Sequence, residues 1–209
     1  MTALFDISIL VGTGTPEWPG DVPFSCGWTC RLAEGAAVNL SSLTGSPHVG
    51  THADAPLHVR DGWPASDALP LDAFLGEALV LDVRDAAPGV LSLRADDPRL
   101  AGVSRLLLRT GCGIADGTFP DAWPVLDART ATALATRGLR LLGVDAPSVD
   151  ARESRTLDVH HALFGGGAFV LENLDLRAVP AGRYELVALP QRLRGLDAAP
   201  VRAVLRPLR

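Results

Sequence analysis

The sequence predicts an α/β protein of the strand-rich α+β type, folded as a single domain over residues 1–209. Apolar runs of strand length outnumber helical patterns by a wide margin. Hydrophobic residues make up 47% of the chain and charged residues 21%, a balance typical of globular proteins. A chain of this length has room for one substantial core, and it contains no internal repeat or low-complexity tail.

The first quarter of the chain is expected to consist of short strands and one long loop. An apolar run predicts a strand over residues 4–11, and residues 12–23 form a loop rich in glycine and proline. Residues 24–32 and 38–43 then form a hairpin around a polar turn. This hairpin leads directly into the segment that contains most of the histidines.

Further strands and two helices are predicted in the rest of the chain. The apolar runs that predict strands are residues 77–83, 105–109, 139–144, 170–172, 184–189 and 201–205. Residues 85–100 are expected to form a surface loop with one short turn of helix. One helix is predicted over residues 127–137, and a second over residues 157–164 with Thr156 as its cap. Glycines follow both helices and are expected to end them.

The segment from Pro47 to His58 contains three of the five histidines. His48, His52, Asp54 and His58 all occupy even positions, so an extended backbone projects them to one side. A straight strand of this length would span roughly 33 Å, more than one metal ion's coordination sphere. The chain must therefore bend within the segment, and its glycine and second proline are the natural bending points. The spacing also indicates that the four groups do not share one metal.

Imidazole nitrogens and carboxylate oxygens are preferred ligands of zinc and its first-row neighbours. His48, His52 and Asp54 supply two nitrogens and one carboxylate, and His160 and Glu172 offer one more of each from distant segments. Five ligands exceed what one tetrahedral zinc needs, which favours two metals that share bridging carboxylates. Such a site favours a bound hydroxide as the nucleophile at neutral pH. For Glu172 a salt bridge at a strand end is an equal alternative.

Other residues are candidates for supporting roles. His58 lies beyond the bend, which leaves it free to move protons. Metal-ligating histidines need an acceptor on the other ring nitrogen, and Asp145 and Asp150 are candidates for that role. On a helix, adjacent side chains diverge by about 100°, so only one of His160 and His161 is expected to face the site.

Trp18 stands between two prolines at the tip of the long loop. It has two interpretations, since an aromatic side chain there can cap the core from outside or form a rigid wall for a planar ligand. The sequence alone leaves both open.

Composition makes several classes of protein improbable. The net charge of −5 is spread along the chain without a basic block, which argues against nucleic acid as a partner. All 19 basic residues are arginine, so lysine chemistry is excluded. No leader pattern and no apolar stretch of about 20 residues is present, so a cytoplasmic protein without membrane contact is expected. Cys26, Cys30 and Cys112 are expected to be reduced, half-buried packing residues.

The histidine segment resembles the putative cyclase family of metal-dependent hydrolases. The family signature is His-x-Gly-Thr-His-x-Asp-x-Pro-x-His, and it stands complete between His48 and His58. Further segments of the chain look like those of the bacterial kynurenine formamidase branch of that family. The segments that carry this further resemblance are residues 6–8, 16–21, 143–150 and 158–161.

The resemblance implies a swivelling β/β/α fold with a mixed sheet, a homodimer or higher homo-oligomer, and two zinc ions per subunit. It also implies hydrolysis of the formamide bond of N-formyl-L-kynurenine to L-kynurenine and formate, a reaction of tryptophan degradation. A zinc-bound hydroxide would be the nucleophile. The alternatives are a related hydrolase that opens a cyclic amide such as isatin, and a non-catalytic zinc-binding protein.

Particular roles follow from the same resemblance. His48, His52 and Asp54 would hold the first metal, with Asp54 bridging to the second. His160 and Glu172 would complete the second site. His58 would be the catalytic proton donor and acceptor, and Trp18 would contact the aromatic ring of the small-molecule substrate.

Overall fold

A mixed sheet of nine strands forms the centre of the molecule. The computed structural model describes residues 4–208. The strands are β1 (Phe5–Asp6), β2 (Ser25–Cys30), β3 (Leu40–Thr44), β4 (His52–Asp54), β5 (Leu75–Asp82), β6 (Gly89–Val90), β7 (Arg105–Arg109), β8 (Pro124–Val125), β9 (Leu141–Val144), β10 (Phe169–Glu172), β11 (Gly182–Val187), β12 (Ala198–Pro200) and β13 (Val204–Pro207). The helices are α1 (Ala128–Thr136) and α2 (Asp158–Gly165). The strand-rich fold with a mixed sheet is as predicted.

The order of strands in the large sheet is β1-β13-β11-β5-β7-β9-β10-β4-β12. Strands β5, β7, β9 and β10 run parallel to one another, and the outer strands join them in antiparallel pairs. The hairpin β2–β3 and the parallel pair β6–β8 lie outside this sheet. In the described part of the chain no helix is long and apolar enough to span a bilayer.

The central parallel strands are buried on both faces. In β7, Leu106 and Leu108 belong to one hydrophobic cluster, whereas Leu107 belongs to the other. This alternation follows from the period of two in an extended strand. Because both faces of β7 are buried, its sequence is a continuous apolar run. Helices α1 and α2 cover the first face with Leu134 and Leu163. The functional residues of β4 are on this helix-covered side of the sheet, as described below.

Several predicted strands differ from those observed. The first is shortened to Phe5–Asp6, because the chain then leaves the sheet and the backbone N–H of Ile9 donates to the Thr51 hydroxyl. The loop over residues 85–100 contains β6 in addition to the expected helical turn, which is a 3₁₀ turn. The single strand predicted over residues 201–205 is instead β12 and β13 with a break between them.

Helix α2 does not use the predicted cap. Leu157 precedes the helix in a left-handed conformation, with φ of 48°, and Thr156 provides no cap. The carboxylate of Asp150 accepts hydrogen bonds from the backbone N–H groups of Val159 and His160 instead. An acceptor nine residues away in sequence therefore replaces the local capping signal.

The cysteines are free, as predicted. Cys30 and Cys112 are half-buried, but Cys26 is exposed. The prediction of a half-buried packing role is therefore wrong for Cys26, because β2 carries it on a hairpin whose residues are almost all exposed.

Candidate metal centre

Strand β4 positions the first two groups of the site. Gly50 has φ of 74°, and the 3₁₀ turn Pro56–His58 follows the strand, so the chain bends at both expected points. Between them, Ala53 packs in the cluster on one face, and His52 and Asp54 point to the opposite face. The Nδ1–H of His52 donates to the Gly50 carbonyl at 2.9 Å. This bond directs Nε2 of His52 into the site.

Asp54 is the centre of the cluster and is fully buried. Its Oδ1 lies 3.1 Å from Nδ1 of His48 and 3.2 Å from Nε2 of His52. Its Oδ2 lies 3.1 Å from Nε2 of His160. Three histidines from two distant segments of the chain thus meet at the two oxygens of one carboxylate.

Glu172 lies beside Asp54 because of the strand register. Strand β10 pairs with β4 so that Glu172 is opposite His52, which places both side chains on the same face. Glu172 Oε2 lies 3.5 Å from His52 Nε2, and its Oε1 lies 3.3 Å from His160 Nε2. The backbone N–H of Val149 donates to Oε1 at 2.8 Å and fixes the carboxylate. Glu172 therefore contacts histidines of both halves of the cluster, and its role as a metal ligand stays a prediction.

The cluster has the chemistry of a cation site. Oδ1 of Asp54 is buried without a well-oriented hydrogen-bond donor, although such an atom is costly to leave unpaired. Nδ1 of His48 faces Nε2 of His52 at 3.1 Å, an arrangement in which two imidazole lone pairs meet unless a proton or a metal lies between them. The ligand atoms of His48, His52 and Asp54 all lie within 4.8 Å of one another. These donors fit a divalent first-row metal ion.

The pKa shifts within the metal-free cluster also favour a bound cation. Burial by itself would lower the pKa of His48 and His52, but the charge of Asp54 outweighs it and raises their pKa to about 10 and about 9. Burial would raise the pKa of Asp54, yet the two histidines hold it well below its usual range. The chain thus balances buried negative charge with protons at the positions that a cation would occupy.

Asp150 supports the cluster from behind His160. Its Oδ2 accepts a hydrogen bond from Nδ1 of His160 at 2.7 Å, so Nε2 is the nitrogen that faces Asp54. Asp145 does not contact a histidine, so its proposed orienting role is wrong. Its carboxylate accepts hydrogen bonds from the backbone N–H groups of Thr110 and Gly111 and ties two loops together.

His58 lies closer to the cluster than its sequence distance indicates. Its ring centroid is 4.6 Å from that of His48, and its ligand atom is within 4.8 Å of those of Asp54 and His160. The expectation that distance alone separates His58 from the other groups is therefore wrong. The 3₁₀ turn Pro56–His58 folds the chain back toward the strand.

Asp197 is a member of the site that the sequence did not reveal. Its Oδ2 lies 3.0 Å from Nε2 of His48 and 3.3 Å from Nδ1 of His58. It reaches this position because its carbonyl accepts the N–H of Ala55 and β12, which follows it, pairs with β4. No local pattern marks it, since its partners are more than a hundred residues away.

A cavity of about 330 Å³ opens above the cluster, a size suited to a small molecule. Trp18 lines it with 37% of its surface exposed, and its ring packs edge-on against Phe119 and Trp123. Trp18 thus covers the core and also faces the cavity, and its contact with a planar ligand stays a prediction. His160 is buried and faces the cluster, whereas His161 is exposed, as expected for neighbours on a helix.

Comparison with known proteins places these residues in a family. A family model described as Putative cyclase matches residues 5–151. Kynurenine formamidase of Salinibacter ruber is 48% identical over 98% of this chain and 97% of its own length. Kynurenine formamidase of Bordetella avium is 42% identical over the full length of both chains.

Solved structures agree on the fold. A potential metal-dependent hydrolase with cyclase activity has a TM-score of 0.83 and 27% identity over 100% of both chains. An isatin hydrolase bound to thioisatinate also has a TM-score of 0.83, but its 20% identity over 99% of this chain and 92% of its own shows the fold alone. The matched signature segment, the full-length relatives and the shared fold together show that this chain belongs to the putative cyclase family.

Proposed function

We propose that the chain is a two-zinc hydrolase that cleaves the formamide bond of N-formyl-L-kynurenine and releases L-kynurenine and formate. The observation that carries the proposal is the convergence of histidine nitrogens on the buried carboxylate of Asp54 at the floor of an open cavity. The names of the two full-length relatives support this substrate over a cyclic amide. An open cavity also argues against a structural zinc site, because such sites are usually closed and cysteine-rich.

The proposed metal ligands are divided between two sites. His48, His52 and Asp54 would hold one ion, and His160 and Glu172 the other, with the two carboxylates shared. Divalent zinc held there supplies positive charge for an oxyanion and lowers the pKa of a water molecule so that it is a nucleophile at neutral pH. The two oxygens of Glu172 face different histidines, which supports its assignment as a shared ligand.

His58 is the proposed proton carrier. In the reaction the C–N bond of the formamide breaks, a water oxygen bonds to the formyl carbon, and a proton must reach the departing aryl nitrogen. His58 is half-buried at the cavity wall, and Asp197 near its Nδ1 leaves Nε2 available for this transfer. Trp18, on the same cavity, would contact the aryl ring of the substrate.

We also propose that the chain forms a homodimer. Both strands of the β2–β3 hairpin are exposed, with Trp28 at 57% and Leu43 at 73% of their surface. Monomeric proteins seldom leave such apolar area uncovered, and a second copy would cover it. Light scattering coupled to size-exclusion chromatography would give twice the mass of the chain, and a monomer at micromolar concentration would refute this part.

The decisive experiment is formate release by purified protein loaded with defined amounts of zinc. N-formyl-L-kynurenine should be hydrolysed and isatin should not. If the protein opened the ring of isatin but released no formate from N-formyl-L-kynurenine, the proposed substrate would be wrong. The proposed metal-dependent hydrolysis would still stand. Asp54→Asn should reduce bound zinc, and unchanged zinc content would contradict the bridging role.

A second variant separates the two possible roles of His58. His58→Ala should retain zinc and lose most turnover, because the proton carrier is removed while the ligands remain. Since His58 also lies within reach of Asp54 and His160, loss of one zinc ion per chain would instead make it a ligand. Full turnover would exclude both roles.

A further inference from the structure

Two charged side chains outside the histidine cluster line the cavity. They are Arg155, from the segment that precedes helix α2, and Asp21, from the loop that carries Trp18. Among the described residues that line the cavity, Arg155 is the only arginine. A substrate that reaches from the cluster to the wall would therefore meet one positively charged side chain.

The charge of Arg155 is not used within the described part of the chain. Arg155 is exposed and makes no ion pair or hydrogen bond there. Arg152, three residues earlier, is half-buried, and its charge is paired. Its guanidinium donates a hydrogen bond to Asp121 at 2.7 Å and lies over the ring of Phe119. The same segment thus contains one arginine that supports the aromatic wall and one that is available to a ligand.

The backbone around Arg155 is held in a defined shape. The N–H of Ser154 donates to the Ala151 carbonyl, and the Ser154 hydroxyl accepts the N–H of Leu157. Leu157 has φ of 48°, a left-handed conformation that is unfavourable for a bulky residue. Such conformations persist where the surroundings fix them, and they concentrate at ligand-binding segments. The backbone at Arg155 is therefore restrained by its neighbours on both sides.

Asp21 supplies the opposite charge. One of its carboxylate oxygens accepts the N–H of Val22 at 2.7 Å, and the carboxylate forms no ion pair with the described residues. The cavity thus presents a group for each part of an aromatic amino acid. Arg155 can bind a carboxylate, Asp21 can bind an ammonium group and Trp18 can pack against a ring. These three side chains match an aromatic compound with a zwitterionic α-amino-acid end.

We propose that Arg155 binds the α-carboxylate of the substrate and that Asp21 binds its ammonium group. This inference rests on the proposed function, since it names the residues that select the amino-acid end of the same substrate. Arginine suits the task because its planar guanidinium binds a carboxylate through two parallel hydrogen bonds.

Three substrates test the proposal: N-formyl-L-kynurenine, the same compound without its carboxylate, and 2-formamidoacetophenone, which lacks both charged groups. Arg155→Gln should lower kcat/KM for the first about 10- to 100-fold, mainly through KM, and leave the other two within twofold of the parent protein. Arg155→Lys should have a kcat/KM between those of Arg155→Gln and the parent protein, because lysine keeps the positive charge but cannot make two parallel hydrogen bonds to the carboxylate. Asp21→Asn should lower kcat/KM for the first two substrates, which carry the ammonium group, and leave kcat/KM for the third unchanged.

Arg129→Gln is the matched control, because Arg129 is exposed on α1 and does not line the cavity. It should leave all three substrates unchanged. Equal losses on all three substrates in Arg155→Gln, or no loss on any, would overturn the proposal.

Calorimetric binding of L-kynurenine provides a readout that needs no turnover. The parent protein should bind it about 10- to 100-fold more tightly than Arg155→Gln does. If the parent protein released formate from none of the three compounds, the proposed function would fail, and the binding comparison would still decide the role of Arg155. If both proteins bound L-kynurenine equally tightly, the proposed contact between Arg155 and the α-carboxylate would be refuted, whether or not the parent protein releases formate.

Discussion

Replacement of Asp150 by asparagine should weaken metal binding without unfolding the chain. The carboxylate accepts three hydrogen bonds, from the backbone N–H of Val159 at 3.0 Å, from the N–H of His160 at 3.1 Å and from the His160 ring at 2.7 Å. Asparagine keeps one oxygen, so either the helix start or the histidine ring loses its acceptor. The lost cap is worth about 1 kcal/mol and the charge-assisted bond to the ring about 1.5–3 kcal/mol.

These magnitudes give the expected measurements. The unfolding free energy of Asp150→Asn should fall by roughly 1–3 kcal/mol, depending on which bond is lost, and this lowers Tm by roughly 2–12 °C for a chain of this size. A metal-bound histidine that loses its orienting carboxylate typically binds 10- to 100-fold more weakly. Zinc affinity is measured by competition with a chromophoric chelator, and Tm by circular dichroism.

Asp145→Asn is the matched control. Asp145 is buried on the same stretch of chain and also accepts hydrogen bonds, from Thr110 and Gly111, but it contacts no histidine. It should therefore lower Tm while zinc affinity stays at the parent value. The reasoning is wrong if Asp150→Asn binds zinc as tightly as the parent chain does, or if the two variants lose zinc affinity equally.

The metal-free chain should lose stability as the pH rises. Burial opposes protonation of His48, but the charge of Asp54 raises its pKa to about 10, above the unfolded value of 6.5, so the contribution is fully present below pH 6.5 and lost toward pH 10. Denaturation of chelator-treated protein should show unfolding free energy falling by up to about 5 kcal/mol over that range, and Asp54→Asn should flatten the slope. Asp197→Asn should lower kcat about tenfold or more with little change in KM, because its carboxylate contacts His48 and His58 and is not among the described residues that line the cavity. A higher KM at unchanged kcat would make Asp197 a substrate-binding residue instead.

Local patterns were sufficient to predict the first part of the site. His48, His52 and Asp54 lie within seven residues, and the bends at Gly50 and Pro56 follow from the backbone chemistry of those two residue types. A period of two then placed two of the side chains on one face of a strand. The strand-rich fold could be predicted for the same reason, since its buried strands are continuous apolar runs.

The rest depended on contacts between distant segments. Asp197 reaches His58 only because β12 pairs with β4, a register that no sequence pattern specifies. Asp150 caps α2 from outside the helix, so the local rule pointed to Thr156 instead. The reach argument predicted a bend at Pro56, but it did not predict how close to the cluster the 3₁₀ turn Pro56–His58 brings His58.

The position of β4 inside the sheet has a consequence for how such a site can change. Strand β4 is hydrogen-bonded to β10 on one side and to β12 on the other, so His52 and Asp54 cannot move without opening two strand pairs. Trp18 and Arg155, in contrast, lie on loops outside the sheet. Loops tolerate substitution far better than paired strands do. The proposed metal ligands on β4 and the proposed substrate-binding residues thus lie in structurally separate parts of the molecule, so this arrangement would allow new substrates to be acquired by loop changes while the reaction chemistry is kept.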